Sequence, residues 1–119
     1  MESTLEIKNS TSELTDRDWI IKDTIDSRVV KISLWRDMYD YHKLDTRRGV
    51  FVFINIFFQV KYIGKADEGR MVLEIADAIR NGKSNGVSLI KVLYTSSSEK
   101  TQSLHSDLIS KYNPTNNFI

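Results

Sequence analysis

The chain has no cysteine, which removes disulfides, thiolate metal sites and any chemical need for an oxidising compartment. It also lacks a charge excess: 17 Lys and Arg stand against 16 Asp and Glu, a formal net charge of +1. No global field draws the domain to a polyanion, so any nucleic-acid contact has to be local. Long hydrophobic runs are missing too. The longest, Gly49 to Phe58, is broken by Asn55 and falls far below the roughly 20 residues of a bilayer-spanning helix. The start, Met-Glu-Ser-Thr-Leu-Glu-Ile-Lys, lacks the basic-then-apolar order of a signal peptide. A cytoplasmic location and no membrane partner are the expectations.

What is present suits one globular domain. With 119 residues, 40% hydrophobic and 28% charged, the chain can bury one core but not two. Met1 to about Thr15 is polar without a period and reads as a loose arm, and Trp19, Ile20 and Ile21 form an apolar cluster. Val29 to Leu34 alternates like a half-buried strand. Trp35, Met38 and Tyr39 stand at i, i+3 and i+4, which predicts one core-facing stripe of a short helix. Val50 to Ile54 is a continuous β-branched and aromatic run, the mark of a central strand. Asn55 to Phe58 turns it and Gln59 to Ile63 returns, ended by Gly64. The pair reads as an antiparallel hairpin whose turn lacks Asn-Gly, leaving its register open.

Arg70 to Arg80 carries Met71, Ile75, Ala78 and Ile79 at helical spacing, behind two acids, Asp67 and Glu68, that complement a helix N-terminus. Asn81-Gly82 closes it. Val87 to Tyr94 follows as a third core strand. Ser96 and Glu99 have the spacing of a capping box opening a last helix, striped by Leu104, Leu108, Ile109 and Tyr112. Pro114, the one proline, stops it. The order β, short α, β, β, α, β, α predicts an α+β fold. Its centre is a small, mainly antiparallel, three-stranded sheet flanked by helices, behind an N-terminal extension.

Gly49-Val50-Phe51, followed by Lys61-Tyr62-Ile63-Gly64, resembles the two-part signature of the GIY-YIG nuclease superfamily, and its second half matches outright. Arg70 stands where the family has an arginine early in the next helix. Leu108-Ile109, Tyr112, Pro114 and Asn117 resemble the family's closing pattern. The likeness divides the chain into an arm and extension, residues 1–48, and a GIY-YIG-like domain, residues 49–119. It implies a partner, DNA, and a chemistry, phosphodiester cleavage with one divalent metal held by a glutamate of the last helix. Two tyrosines and the arginine serve water and phosphate. Carried over singly, Tyr62 is the second tyrosine and Arg70 the phosphate-facing guanidinium. Lys61, Lys65, Arg70 and Asn117 fall on the DNA-contact side, and the metal position falls on His105.

Two positions depart from the family. Phe51 stands where the first tyrosine is expected and has no hydroxyl to relay a proton. His105 stands where the metal-binding glutamate is expected, and a neutral imidazole suits zinc or manganese better than magnesium. The implied divalent metal, magnesium or manganese, therefore comes with a changed ligand, and the resemblance predicts a DNA-binding relative with weakened or lost cleavage.

Each residue also has a plainer reading. Tyr62 is a strand aromatic over the core, and Arg70 is a solvated arginine pairing with Glu74 at i, i+4. A histidine on an apolar-striped helix, like His105, is commonly half-buried and hydrogen-bonded. Of the other carboxylates, Glu99 belongs to the capping box, and Asp107 lies about 200° round the helix from His105. Lys61, Lys65, Arg70, Arg80, Lys83 and Lys91 outline a basic face, yet Asp67, Glu68, Glu74 and Asp77 interleave with them. The alternative for the whole chain is a non-catalytic protein-interaction or inhibitory module, a homodimer among its forms, anchored by Phe57-Phe58 on their turn.

Overall fold

The computed structural model describes residues 26–119; the arm over Met1 to Thr15 and the Trp19 to Ile21 cluster lie outside them. The described residues run β1 (Val29–Ile32), β2 (Arg36–Asp37), a 3-10 segment (Met38–Lys43), β3 (Gly49–Ile54), β4 (Val60–Ala66), α1 (Met71–Arg80), β5 (Leu89–Thr95), α2 (Ser98–Tyr112) and a closing 3-10 turn (Thr115–Phe118). The strands make one antiparallel sheet in the order β1-β5-β3-β4, with β2 following β1 along the same side of β5. The fold is α+β. Its central trio is the expected β3, β4 and β5, but the sheet has five strands, because residues 29–37 add β1 and β2 to it.

β3 lies between β4 and β5, and all of its residues are buried. Pleating sends Phe51 and Phe53 to one face, where they meet Met71, Ile75 and Ala78 of α1 and Ile90, Val92 and Tyr94 of β5. Val50, Val52 and Ile54 point the other way, onto Ile63, Leu93 and the α2 residues Leu104 and Leu108. A helix covers each face, so β3 reads as an unbroken apolar run and not as an alternation.

The hairpin turn is built by a side chain. Asn55 Oδ1 accepts from the backbone N–H groups of Phe57 and Gln59, at 2.9 Å each. Phe58 takes the positive φ (62°) that a glycine usually supplies. The register then runs from Gly49 opposite Ala66 to Phe53 opposite Tyr62, with an irregularity before Ile54. Phe51 faces Gly64, and its ring lies so close that a Cβ on Gly64 would sit 2.2 Å from Phe51 Cζ. Gly49 has the same limit against backbone: a Cβ there would be 2.5 Å from the Leu93 carbonyl oxygen.

Two local expectations are corrected. The Trp35, Met38, Tyr39 stripe does not form, because Arg36–Asp37 pairs with β5 and the following segment winds as a 3-10 helix. Three residues per turn align Met38 with Tyr41; these pack on the α1 side, Trp35 packs on the α2 side, and Tyr39 is 88% exposed. The cap of α2 is Ser97, not Ser96: its extended backbone lets the hydroxyl accept from the Lys100 N–H.

Arg28 fastens β1 to α2. Its guanidinium donates to Asp26 and, at 2.8 Å each, to Ser103 and Asp107. Hydrogen bonding from Arg28 holds the Asp26 carboxyl at about 2, against the opposing effect of burial.

Two stability measurements test this packing. Gly64→Ala should cost about 1 to 3 kcal/mol through overpacking against the ring, seen as a lower urea midpoint, and adding Phe51→Leu should recover part of the loss. For Asp26 the folded-state pKa is depressed, so its contribution is present above about pH 4 and disappears as the pH falls through about 2. Asp26→Asn should therefore destabilise at neutral pH while losing less stability than the parent across that acid window.

Candidate functional site

β4 is the free edge of the sheet on the side away from β5. Lys65, Ala66 and Asp67, with Glu74 of α1 and Ser98, Thr101 and Gln102 of α2, line a groove of about 480 Å³. Its walls are the first turns of both helices. Gly69 (φ 83°) turns the chain after β4, the Arg70 N–H donates to the Asp67 carbonyl at 3.0 Å, and Arg70 arrives as the N-cap of α1.

On the α1 side of the rim, Arg70 Nε lies 3.2 Å from Glu74 Oε2, the pair that the i, i+4 spacing suggests. Tyr62 is half-buried, its ring centroid 5.5 Å from that of Phe53 and 6.1 Å from that of Phe51. Burial, and then the charge of Glu74, raise its phenol above the ordinary range, so at neutral pH it stays protonated. On the α2 side, Lys65 Nζ donates to Gln102 Oε1. His105 lies three residues further along α2, beside Ile63. Burial, and then the Lys65 charge, draw its pKa below the usual value, opposed by the Ile63 backbone. It is a neutral imidazole near neutral pH.

Of Tyr62, Lys65, Arg70 and His105, only Lys65 lines the groove; Arg70 meets it through Glu74, and Tyr62 and His105 lie outside the lining, on the α1 and α2 sides of β4. The other two positions lie elsewhere. Asn117 is turned into the protein: the Ile63 N–H donates to Asn117 Oδ1 and Asn117 Nδ2 donates to the Ile63 carbonyl, both at 2.9 Å. Its amide pairs the free edge as a neighbouring strand would. Lys61 stands at the far end of β4, in a separate recess with Gln59, Val60, Tyr112, Asn113 and Thr115. The wider basic face also divides, since Arg80 pairs with Asp77, Lys83 donates to the Ile119 carbonyl, and Lys91 lies 4.9 Å from the Trp35 ring centroid. Gln102 is the residue sequence reasoning passed over. Its signal was the i, i+3 spacing to His105, which puts both on one face of α2.

These side chains do not fit a hard divalent cation. Glu74 is engaged by Arg70, Asp107 by Arg28, and His105 is neutral beside an ammonium. Among the described residues no three His, Asp or Glu side chains are grouped as ligands. Magnesium asks for oxygen donors and negative charge. The groove instead sets Lys65 and the first turn of α2 against Glu74, which Arg70 engages, and Asp67, while Thr46 takes the Met71 and Val72 N–H groups of α1. Phe51, 2% exposed, contributes a ring and no hydroxyl.

Removing the Asn117 amide strands both polar groups of the fully buried Ile63 backbone. Asn117→Ala should cost about 1 to 3 kcal/mol in a urea unfolding series; a midpoint within error of the parent would mean that the clamp is not formed in solution.

Among the described residues no helix is long and apolar enough to cross a membrane. Compared with known proteins, the chain matches no family model and no curated protein.

Proposed function

We propose that this chain is a cytoplasmic GIY-YIG-type domain that binds DNA in the groove at the β4 rim and has lost efficient phosphodiester cleavage. One observation carries the reading. The Tyr62-Ile63-Gly64-Lys65 stretch belongs to the edge strand, whose Ile63 is covered by Asn117, and at its Lys65 end the first turns of both helices wall a groove holding Lys65, with Arg70 reached through Glu74. A phosphodiester placed there meets a point charge from Lys65 and the first turn of α2, with the Arg70 guanidinium behind Glu74.

Cleavage asks for more. A nucleophile must be activated, and charge on the phosphate and on the leaving oxygen must be stabilised. Phe51 cannot pass a proton, and His105, neutral beside Lys65, supplies no negative charge for a metal. Each such loss is worth about two orders of magnitude or more in rate, and here two coincide. The absence of cysteine suits the reducing cytoplasm. A second reading, a protein-interaction module, draws support from Ile56 and Phe57, each 67% exposed at the hairpin turn. Phe58 is not part of that anchor, because it packs edge-on against Trp35 at 5.7 Å.

The test is incubation with supercoiled plasmid in magnesium and in manganese, beside a gel shift at rising salt. We expect no nicking and salt-sensitive retention. Lys65→Ala should weaken that retention and lower the log–log salt slope by about 1. Metal-dependent nicking that Arg70→Ala abolishes would show an intact nuclease, and no retention at low salt would leave the interaction module.

A further inference from the structure

Two Asn-Gly pairs, Asn81-Gly82 and Asn85-Gly86, stand in the loop between α1 and β5. Asparagine is chemically labile, and most so before glycine, because the glycine nitrogen can attack the side-chain amide carbon with no side chain of its own in the way. At both glycines an added Cβ would meet nothing within 4 Å, so space does not separate the two pairs. Hydrogen bonding does. Asn81 is the C-cap of α1, and the cap closes as a Schellman motif: the Gly82 N–H donates to the Ile79 carbonyl at 3.1 Å and the Lys83 N–H to the Ala78 carbonyl at 2.9 Å. The nitrogen that would attack Asn81 is therefore engaged in a helix end.

Asn85 and Gly86 are both exposed and form the middle of a separate turn, closed by the Val87 N–H on the Ser84 carbonyl at 2.9 Å, with Gly86 at φ 77°. That turn leaves the Gly86 N–H without a hydrogen-bond partner among the described residues. The carbonyl of the same peptide, that of Asn85, accepts from Asn116 Nδ2 at 3.0 Å, which polarises the peptide and makes its N–H more acidic. Asn116 is buried, also donates to the Lys83 carbonyl at 2.9 Å, and directly precedes the Asn117 clamp on Ile63.

We propose that Asn85 is a site of spontaneous covalent modification, converting to aspartate and isoaspartate with loss of ammonia, and that the conversion loosens the closing turn. Hydroxide takes the Gly86 N–H proton, the nitrogen bonds to Asn85 Cγ, and the side-chain nitrogen takes a proton from water and leaves as ammonia, giving a succinimide. Water then opens the ring at either carbonyl, so that one water is consumed for each ammonia released. Opening at the main-chain carbonyl yields isoaspartate: the chain then runs through Cβ and Cγ, one atom longer, and the former Asn85 carbonyl becomes a free carboxylate. The acceptor that holds Asn116 thus leaves the main chain, and the turn that carries Asn117 loses one of its anchors.

Trypsin cuts after Arg80, Lys83 and Lys91, so the two asparagines fall in separate peptides, 81–83 and 84–91. The full chain is aged in mildly alkaline buffer, folded or in urea, and both peptides are followed by mass spectrometry for conversion of amide to acid. In the folded chain the 84–91 peptide should convert several-fold faster than 81–83, at a rate that rises with pH. In urea, with the Gly82 N–H released, the two should convert at similar rates. Asn85→Gln, whose longer side chain closes the ring poorly, should keep its 84–91 peptide unconverted. After ageing, the Ile63 amide hydrogen should exchange faster in the parent protein and at its original rate in Asn85→Gln. Equal conversion of the two peptides in the folded chain, or a folded 84–91 peptide that stays intact while the unfolded one converts, overturns the site. An Ile63 amide equally protected before and after conversion overturns the loosening.

Discussion

The ring of Phe51 lying across Gly64 is the contact on which the arrangement of the α1 side depends. Because Gly64 has no Cβ, the β3 ring extends over β4, closing one aromatic layer with Phe53 and Tyr62. α1 packs onto that layer through Met71, Ile75 and Ala78. A side chain at position 64 would lift the ring, and with it the helix that brings Glu74 near Tyr62 and keeps Arg70 at the rim. The ring at position 51 is wholly used in packing, so phenylalanine serves the fold fully.

A second constraint follows from β4 being an edge. Unpaired strand edges invite other strands, and proteins cover them. Here the covering is done by a side chain of the closing turn: Asn117 satisfies both backbone groups of Ile63. One position that family resemblance marks for function is thereby committed to holding the strand. That tie stands between the groove at one end of α2 and the recess at the other.

Much of this was legible in the residues. The continuous run of β3 announced a strand buried on both faces, Met71, Ile75 and Ala78 announced the inner face of α1, and Leu104 and Leu108 that of α2. Short-range polar detail was less readable. The cap of α2 moved from Ser96 to Ser97, since a capping box and a single serine cap differ by which hydroxyl reaches an N–H. The Trp35, Met38, Tyr39 stripe failed because pairing of Arg36–Asp37 with β5 overrode a weak local helical preference. Register in the hairpin was unreadable because a side chain, Asn55, and an unusual Phe58 conformation replace the common turn residues.

By itself the sequence determined the α+β class, the order of β3, β4, α1, β5 and α2 and their apolar faces, since hydrophobic spacing dictates what must be buried whatever the partner. It also places Phe51 and His105 where the resemblance expects a tyrosine and a glutamate. Only the tertiary structure decided where polar side chains spend their hydrogen bonds. Asn117 turned inward because Ile63 offers a donor and an acceptor at a bare edge, Lys61 parted from Lys65 because a strand is long, and Gln102 joined the groove because α2 lies beside β4. Those outcomes depend on contacts between residues 37 to 54 positions apart, beyond the reach of any local pattern.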